Sequence, residues 1–460
     1  MLLYLILVMG VIGMIATRDL FNLFVFLEIV SIATYGLLSL GSRPEALSAS
    51  FKFLMATVVA STFFLLGTML LYAATGILNI DDLIAAREGI AGPIAFAALM
   101  LLLGCLLLEL KPFPANGWGL DVYETAPGSI AALVASVVSA GVFFALLKLM
   151  PLFEDYWVVI AATGAITFVF ANLIGLSQTK AQRLLGYSSV GQMGLLYMAA
   201  ALLHIVDAKA AMPLVIGGLF INHLLAKAGL FWLAGVVSRE RLTDWAGLGR
   251  HPIVLAGFGI LICAIAGLPP FPGFWAKWQY IVSLASHGKF VWIAIALLGS
   301  LLEAAYLFRW LALTLHRPAG AKDWKPSRLA LLPVFGAGAL LALCGYGAAR
   351  MAGLDADWIF LPLIAGLAIV VLGCVSDPAQ RIAAILTVAA GGYWLVQGMT
   401  GIGFLFGALF FAGSALSSSR VSTARRGGPA SIRSSSFCCY RFKRCRARRP
   451  AWSSSSFSSS

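Results

Sequence analysis

Long apolar runs parted by short polar loops recur from the first residues to about residue 414. A helix crosses the hydrocarbon core of a bilayer in about 20 apolar residues. That length predicts spans near 2–17, 20–40, 51–74, 92–110, 129–149, 156–176, 184–203, 211–237, 252–286, 290–314, 327–349, 358–375, 380–397 and 399–414. The expected fold is an all-α polytopic membrane protein with about 13–14 transmembrane helices. Two spans are interrupted by proline, at KPFPANGW (111–118) and at LPPFPGFW (268–275). Proline removes a backbone donor and breaks a helix. Irregular backbone at membrane depth is tolerated only where it is buried in protein or lines a wet cavity. Discontinuous helices in corresponding positions point to an internal repeat with a site at its interface. Taken alone, each break can also be read as a packing kink.

Composition agrees, with 61% hydrophobic and 11% charged residues. No soluble domain and no cleavable signal peptide is expected, because the first apolar run leads straight into further spans. Lys and Arg in short loops set orientation. One alternating set of loops carries Arg43 and Lys52, then Lys180 and Arg183, then Arg239, Arg241 and Arg250, then Arg317, Lys322, Lys325 and Arg328. The other set holds Asp81, Asp82, Glu88, Glu154, Asp155, Asp355 and Asp357. The basic set is expected on the cytoplasmic side, and the N-terminus with it. The net charge of +13 comes mostly from residues 415–460, which hold ten Lys or Arg and no acid, so it is no nucleic-acid signal. This Ser- and Arg-rich tail reads either as a disordered basic segment or as a frameshifted end whose original frame encoded another apolar helix. Cys105, Cys263, Cys344 and Cys374 stand singly within spans and read as core residues, and no function is drawn from Cys438, Cys439 or Cys445.

Against this background, ionisable residues inside the spans carry the chemistry. Glu28, Glu109, His223, Lys227, Lys277 and Glu303 lie in apolar stretches or at a broken middle, and Lys111 follows the first break. A charge at the centre of a membrane helix costs about 2.5–3.5 kcal/mol on the insertion scale. Such residues read by default as an ion or proton route. Ser31 and Tyr35 share the face of Glu28, and Tyr306 that of Glu303. His223 and Lys227 stand at i, i+4 on one face, about 6 Å apart. Two bases so placed repel when both are charged, which suits a site where protons are exchanged. The structural alternatives are a Glu28 bonded locally to neighbouring helices, a Lys227 paired with a fixed carboxylate, and a purely structural Glu303. Haem ligation by His223 finds no matching mid-span histidine. Arg18, Lys148 and Arg183 sit at span ends, where snorkelling accounts for them.

The stretches RDLFNLFVFLEIVSIATYGLLSLG, SFKFLMATVVAS, QRLLGYSSVGQMG, FINHLLAKAGLFWLAG and AGLPPFPGFWAKW follow one another in order. With them, residues 1 to about 330 resemble the antiporter-like proton-channel subunits of respiratory complex I, membrane-bound hydrogenases and the Mrp multisubunit Na+/H+ antiporters. SFKFL and YAATGILN look nearest to the Mrp D subunit or its hydrogenase relatives. The resemblance implies two inverted five-helix repeats, 1–150 and 156–316, with further helices over 327–414. It implies that Glu28 is the glutamate opposite the first broken helix. It also makes His223 and Lys227 the HxxxK of the central helix, and Lys277 the terminal lysine after the second break. Three departures follow. Family members begin with three more helices, so the chain reads as N-terminally short. The lysine of the first broken helix falls on Glu109, with Lys111 two residues on as a substitute. The next helix, 129–147, offers only Ser129, Ser136 and Ser139 where a His or Lys is usual.

The expected function is proton or cation/proton translocation as a subunit of a redox-driven or Mrp-type complex in a bacterial or archaeal cytoplasmic membrane. Its partners would be other membrane subunits, and its ions protons or Na+. No nucleotide loop, metal cluster or haem motif is present in the sequence, so no cofactor is expected and any redox centre belongs to partner subunits. A stand-alone cation/proton exchanger and a non-functional fragment are the rivals. Unit charges ~8 Å apart at an effective dielectric of ~20 interact by about 2 kcal/mol. That is enough for one charge to hand a proton on when its neighbour changes.

Overall fold

Backbone in lipid must satisfy its own hydrogen bonds, so each apolar run becomes a helix. The computed structural model describes residues 1–40, 44–90, 92–315 and 328–353, which contain no strand. The helices are α1 (Leu2–Ala16), α2 (Leu20–Ser39), α3 (Pro44–Thr75), α4 (Ile80–Ala85), α5 (Pro93–Glu109), α6 (Gly117–Thr125), α7 (Gly128–Leu133), α8 (Ser139–Leu149), α9 (Trp157–Gly175) and α10 (Ala181–Ile205). There follow α11 (Met212–Val237), α12 (Pro252–Ala266), α13 (Pro272–Ala285), α14 (Phe290–Leu315) and α15 (Arg328–Met351). Seven helices among the described residues are long and apolar enough to cross a membrane. Exposed Phe51, Met69, Val158 and Leu301 line the outside, as a lipid-facing surface requires. The expected spans 358–375, 380–397 and 399–414 and the tail 415–460 lie outside the described residues. So do Arg317, Lys322, Lys325, Asp355, Asp357, Cys374, Cys438, Cys439 and Cys445.

Both proline breaks divide a span in two, α5 from α6 and α12 from α13. Helices α7 and α8 are one rod with a π-helical segment, Val134–Val138, between them. At the centre runs α11, which packs on α7, α10, α12, α13 and α15. Glycine lets two backbones meet where α9 crosses α10. A Cβ on Gly164 would stand 2.6 Å from the Gly194 carbonyl oxygen, and one on Gly194 would stand 2.8 Å from that of Gly164. Small residues at such crossings are the usual means of close helix approach in lipid. Gly164→Leu is therefore expected to part α9 from α10 and to destabilise the protein by about 1–3 kcal/mol or more. Thermal unfolding in detergent checks this; an unchanged midpoint would count against the close contact.

Among the described residues the loop ion pairs fall into two groups, one at each end of the helices. At one end Arg18 pairs with Asp81, and Arg87 pairs with Glu154. The Arg18 hydrogen bond holds the Asp81 carboxyl below its ordinary range. Lys148 caps α1 there, donating to the carbonyls of Met14 and Ile15 at 2.9 Å each and to that of Thr17. A cation at a helix C-terminus also complements the helix dipole. At the other end Lys52 meets Asp121, Lys180 meets Glu124 and Glu240, and Arg183 meets Asp121 and Glu124. An antiparallel bridge joins Lys180 to Arg241.

Candidate functional site

The two breaks solve the same problem with different side chains. At the second, the carbonyl of Ala264, which also accepts from the Gly267 amide, accepts from Asn222 Nδ2 at 2.9 Å, and that of Ile265 accepts from Gln192 Nε2 at 3.5 Å. At the first, Lys111 Nζ donates to the Glu109 carbonyl at 3.1 Å, and the Phe113 amide donates to Thr167 Oγ1 at 3.1 Å. Side chains thus bond the backbone groups around each break. Each break also lays a lysine over a glycine. A Cβ on Gly119 would meet Lys111 Cδ at 2.4 Å, and one on Gly267 would meet Lys277 Nζ at 3.1 Å.

Lys111 does not lie where a straight helix would put it. Its φ of 60° lies in the left-handed region, which turns the chain at the end of α5 and buries the side chain. The ammonium sits 5.2 Å from the ring centre of Trp118 and 5.9 Å from that of Tyr123, within cation–π range. Its hydrogen bond goes to the backbone of Glu109, while the buried Oε1 of the Glu109 carboxyl has no hydrogen-bond partner. A side-chain ion pair between Glu109 and Lys111 is therefore not formed. Glu28, half-buried on α2, lies within Coulombic reach of Glu109.

His223 and Lys227 are both buried on α11. His223 Nε2 stands 3.2 Å from the Ala135 carbonyl oxygen, and Nδ1 has no partner. Ala135 belongs to the π-helical segment. Such segments shift the ladder by one residue and recur at functional sites. Ser136 and Ser139 of this rod bond their own helix instead, Ser136 to Ala132 at 2.5 Å and Ser139 to Val134 at 3.1 Å. A backbone carbonyl thus faces His223 from the stretch 129–147, which lacks a basic side chain.

Lys227 donates to Ser188 Oγ, and the Ser188 hydroxyl donates to Glu303 Oε1 at 2.6 Å. Gln192 Nε2 donates to Glu303 Oε2. Lys227 and Glu303 form no direct ion pair; Ser188 stands between them. Beside this cluster Tyr306 donates to Asn172 Oδ1 at 2.8 Å. The buried Nζ of Lys277 has no hydrogen-bond partner and lies within Coulombic reach of Glu303. Lys111 and Lys227 are each within such reach of His223, and Glu303 of Lys227. The residues picked from the sequence therefore form one row, from Glu28 and Glu109 through Lys111, His223, Lys227 and Glu303 to Lys277. Ser188 and Gln192 join it unannounced, and Asn222 joins the second break. Their only advance signal is the i, i+4 spacing of Ser188 and Gln192 on α10, and the place of Asn222 beside His223. Among the described residues no cluster of His, Cys, Asp or Glu could hold a metal ion.

Known proteins resemble this chain. The family described as NADH:quinone oxidoreductase/Mrp antiporter, TM, matches residues 17–303. NADH-quinone oxidoreductase subunit N of Desulforudis audaxviator is 33% identical over 313 residues, which cover 65% of this chain and 61% of that protein. The chain thus spans less than two thirds of the length of that relative. Among solved structures, a chain of an archaeal membrane-bound sulfane sulfur reductase matches with a TM-score of 0.69 at 27% identity, over 83% of this chain and 77% of that one. A chain of respiratory complex I from Thermus thermophilus matches with a TM-score of 0.65 at 29% identity, over 76% and 78%. With the broken spans and the row of buried charges in place, the chain belongs to the NADH:quinone oxidoreductase/Mrp antiporter transmembrane family.

Proposed function

We propose that the chain moves protons across the membrane along its row of buried carboxyls and bases, as one subunit of a multisubunit membrane complex. The observation that carries this reading is the continuity of the row, in which every ionisable group from Glu28 to Lys277 has another within Coulombic reach. Three lysines and a histidine in that row favour protons over Na+, since an ammonium repels a metal cation and an amine or imidazole binds a proton. Two halves, residues 1–150 and 156–316, would each supply one broken span and so one access route. The relatives named above support a redox-driven parent complex whose electron-transfer centres lie in other subunits. We place the chain in a bacterial or archaeal cytoplasmic membrane, with Lys52, Lys180, Arg183, Arg241 and the N-terminus on the cytoplasmic side.

Inverted membrane vesicles test this. Substrate-driven acidification, followed by quenching of a pH-sensitive dye, is expected to fall when the gene is deleted and to return with the wild-type gene. Acidification indifferent to the deletion would defeat the proposal.

A further inference from the structure

We propose that Ser188 is a hydroxyl relay that passes a proton between Lys227 and Glu303. The inference rests on the proton-path reading and assigns a residue that the row of charges does not contain. A serine hydroxyl has one proton to donate and two lone pairs to accept with. Ser188 uses both capacities at once, accepting from Lys227 Nζ and donating to Glu303 Oε1 at 2.6 Å. It is buried, as are both partners, so bulk water does not reach the exchange. Gln192 holds the other carboxylate oxygen while its amide also faces the Ile265 carbonyl at the second break. That fixes which oxygen of Glu303 looks at Ser188.

The step balances without any other reactant. An N–H bond of the Lys227 ammonium breaks as an O–H bond forms on Ser188. The original Ser188 O–H breaks as an O–H forms on Glu303 Oε1. Lys227 is left a neutral amine, Glu303 a neutral acid and Ser188 a hydroxyl as before. Rotation about the Cβ–Oγ bond resets the serine, and the reverse sequence restores the charges. Charge thereby moves between α11 and α14 with no displacement of either helix. Ser189, the next residue, is just as buried, but its hydroxyl has no partner. The same helix thus supplies its own control.

The experiment compares Ser188→Ala, Ser188→Thr, Ser188→Val, Ser189→Ala and Lys227→Ala in inverted vesicles, with acidification normalised to the amount of assembled complex. Ser188→Ala and Ser188→Val are expected to lose roughly a hundredfold or more of the flux, the scale of a lost proton-transfer group. Ser188→Thr, which keeps the hydroxyl, is expected to stay well above Ser188→Val, and Ser189→Ala to match wild type. Thr and Val have the same shape, so their difference isolates the hydroxyl even where Ser188→Ala assembles poorly. Equal flux in the Thr and Val variants, or wild-type flux in Ser188→Ala, overturns the relay. If Lys227→Ala is silent while Ser188→Ala runs normally, the relay alone falls. If Lys227→Ala also runs normally, the proton-path reading falls with it.

Discussion

Lys227→Arg is expected to stop proton flux while the protein still inserts and assembles. A guanidinium does not deprotonate in proteins, so the variant keeps the positive charge and loses the exchangeable proton. The site is demanding, because Lys227 has no exposed surface and its Nζ already donates to Ser188. An Arg there can bond the Glu303 carboxylate directly and in bidentate fashion, which would hold the charge pair in one state. Loss of about a hundredfold or more in flux is expected, within the range for removal of a proton-transfer group. Lys227→Ala should be silent too, but it also removes the hydrogen-bond donor of Ser188 and one of the two cations near the buried Glu303, so a loss of flux could reflect lost stability. The Arg variant is therefore the more informative. Acidification at the wild-type rate in Lys227→Arg vesicles would remove Lys227 from the path.

Lys111→Met should interrupt the row at its first break. Methionine fills the space of the lysine stem against Gly119, Trp118 and Tyr123 but carries no proton. Nothing else in the row lies between Glu109 and His223, so flux is expected to fall by roughly a hundredfold. Glu109→Gln should do less. The bond from Lys111 goes to the Glu109 backbone carbonyl, which the substitution leaves in place. The comparison separates two readings of this break. If Lys111→Met conducts and Glu109→Gln does not, the carboxyl at 109 does the work expected of the lysine, and the position of Lys111 is incidental.

Most spans could be read from the chain within a few residues, because hydropathy over about 20 residues reports burial in lipid directly. The breaks were equally plain, since proline marks them. Local rules failed where geometry departs from a straight rod. Counting along a helix turns Lys111 away from the interior, whereas its φ of 60° turns it back. Nothing in VASVV marks a π-helical segment, so the absence of a basic residue over 129–147 looked like a gap, not a backbone carbonyl facing His223. Helix α3 begins at Pro44, earlier than expected near 51, because a polar first turn lowers the hydropathy there without ending the helix. Ser188 was hidden for another reason. A serine in GYSSVGQMG is ordinary until Glu303, 115 residues later, is brought against it. Long-range pairing of small polar groups leaves no periodic trace in a sequence.

The bridged pair on α11 and α14 also bears on how the protein is made. The chain emerges N-terminus first, so α10 and then α11 reach the membrane before α14 exists. During that interval Lys227 has Ser188 beside it but no carboxylate, and a lysine at mid-membrane is disfavoured by about 2.5–3.5 kcal/mol. Its counter-charge arrives only with Glu303. Biogenesis is thus ordered by electrostatics. The helix that packs at the centre of the finished fold gains its compensating charge only after one of the later ones has been synthesised.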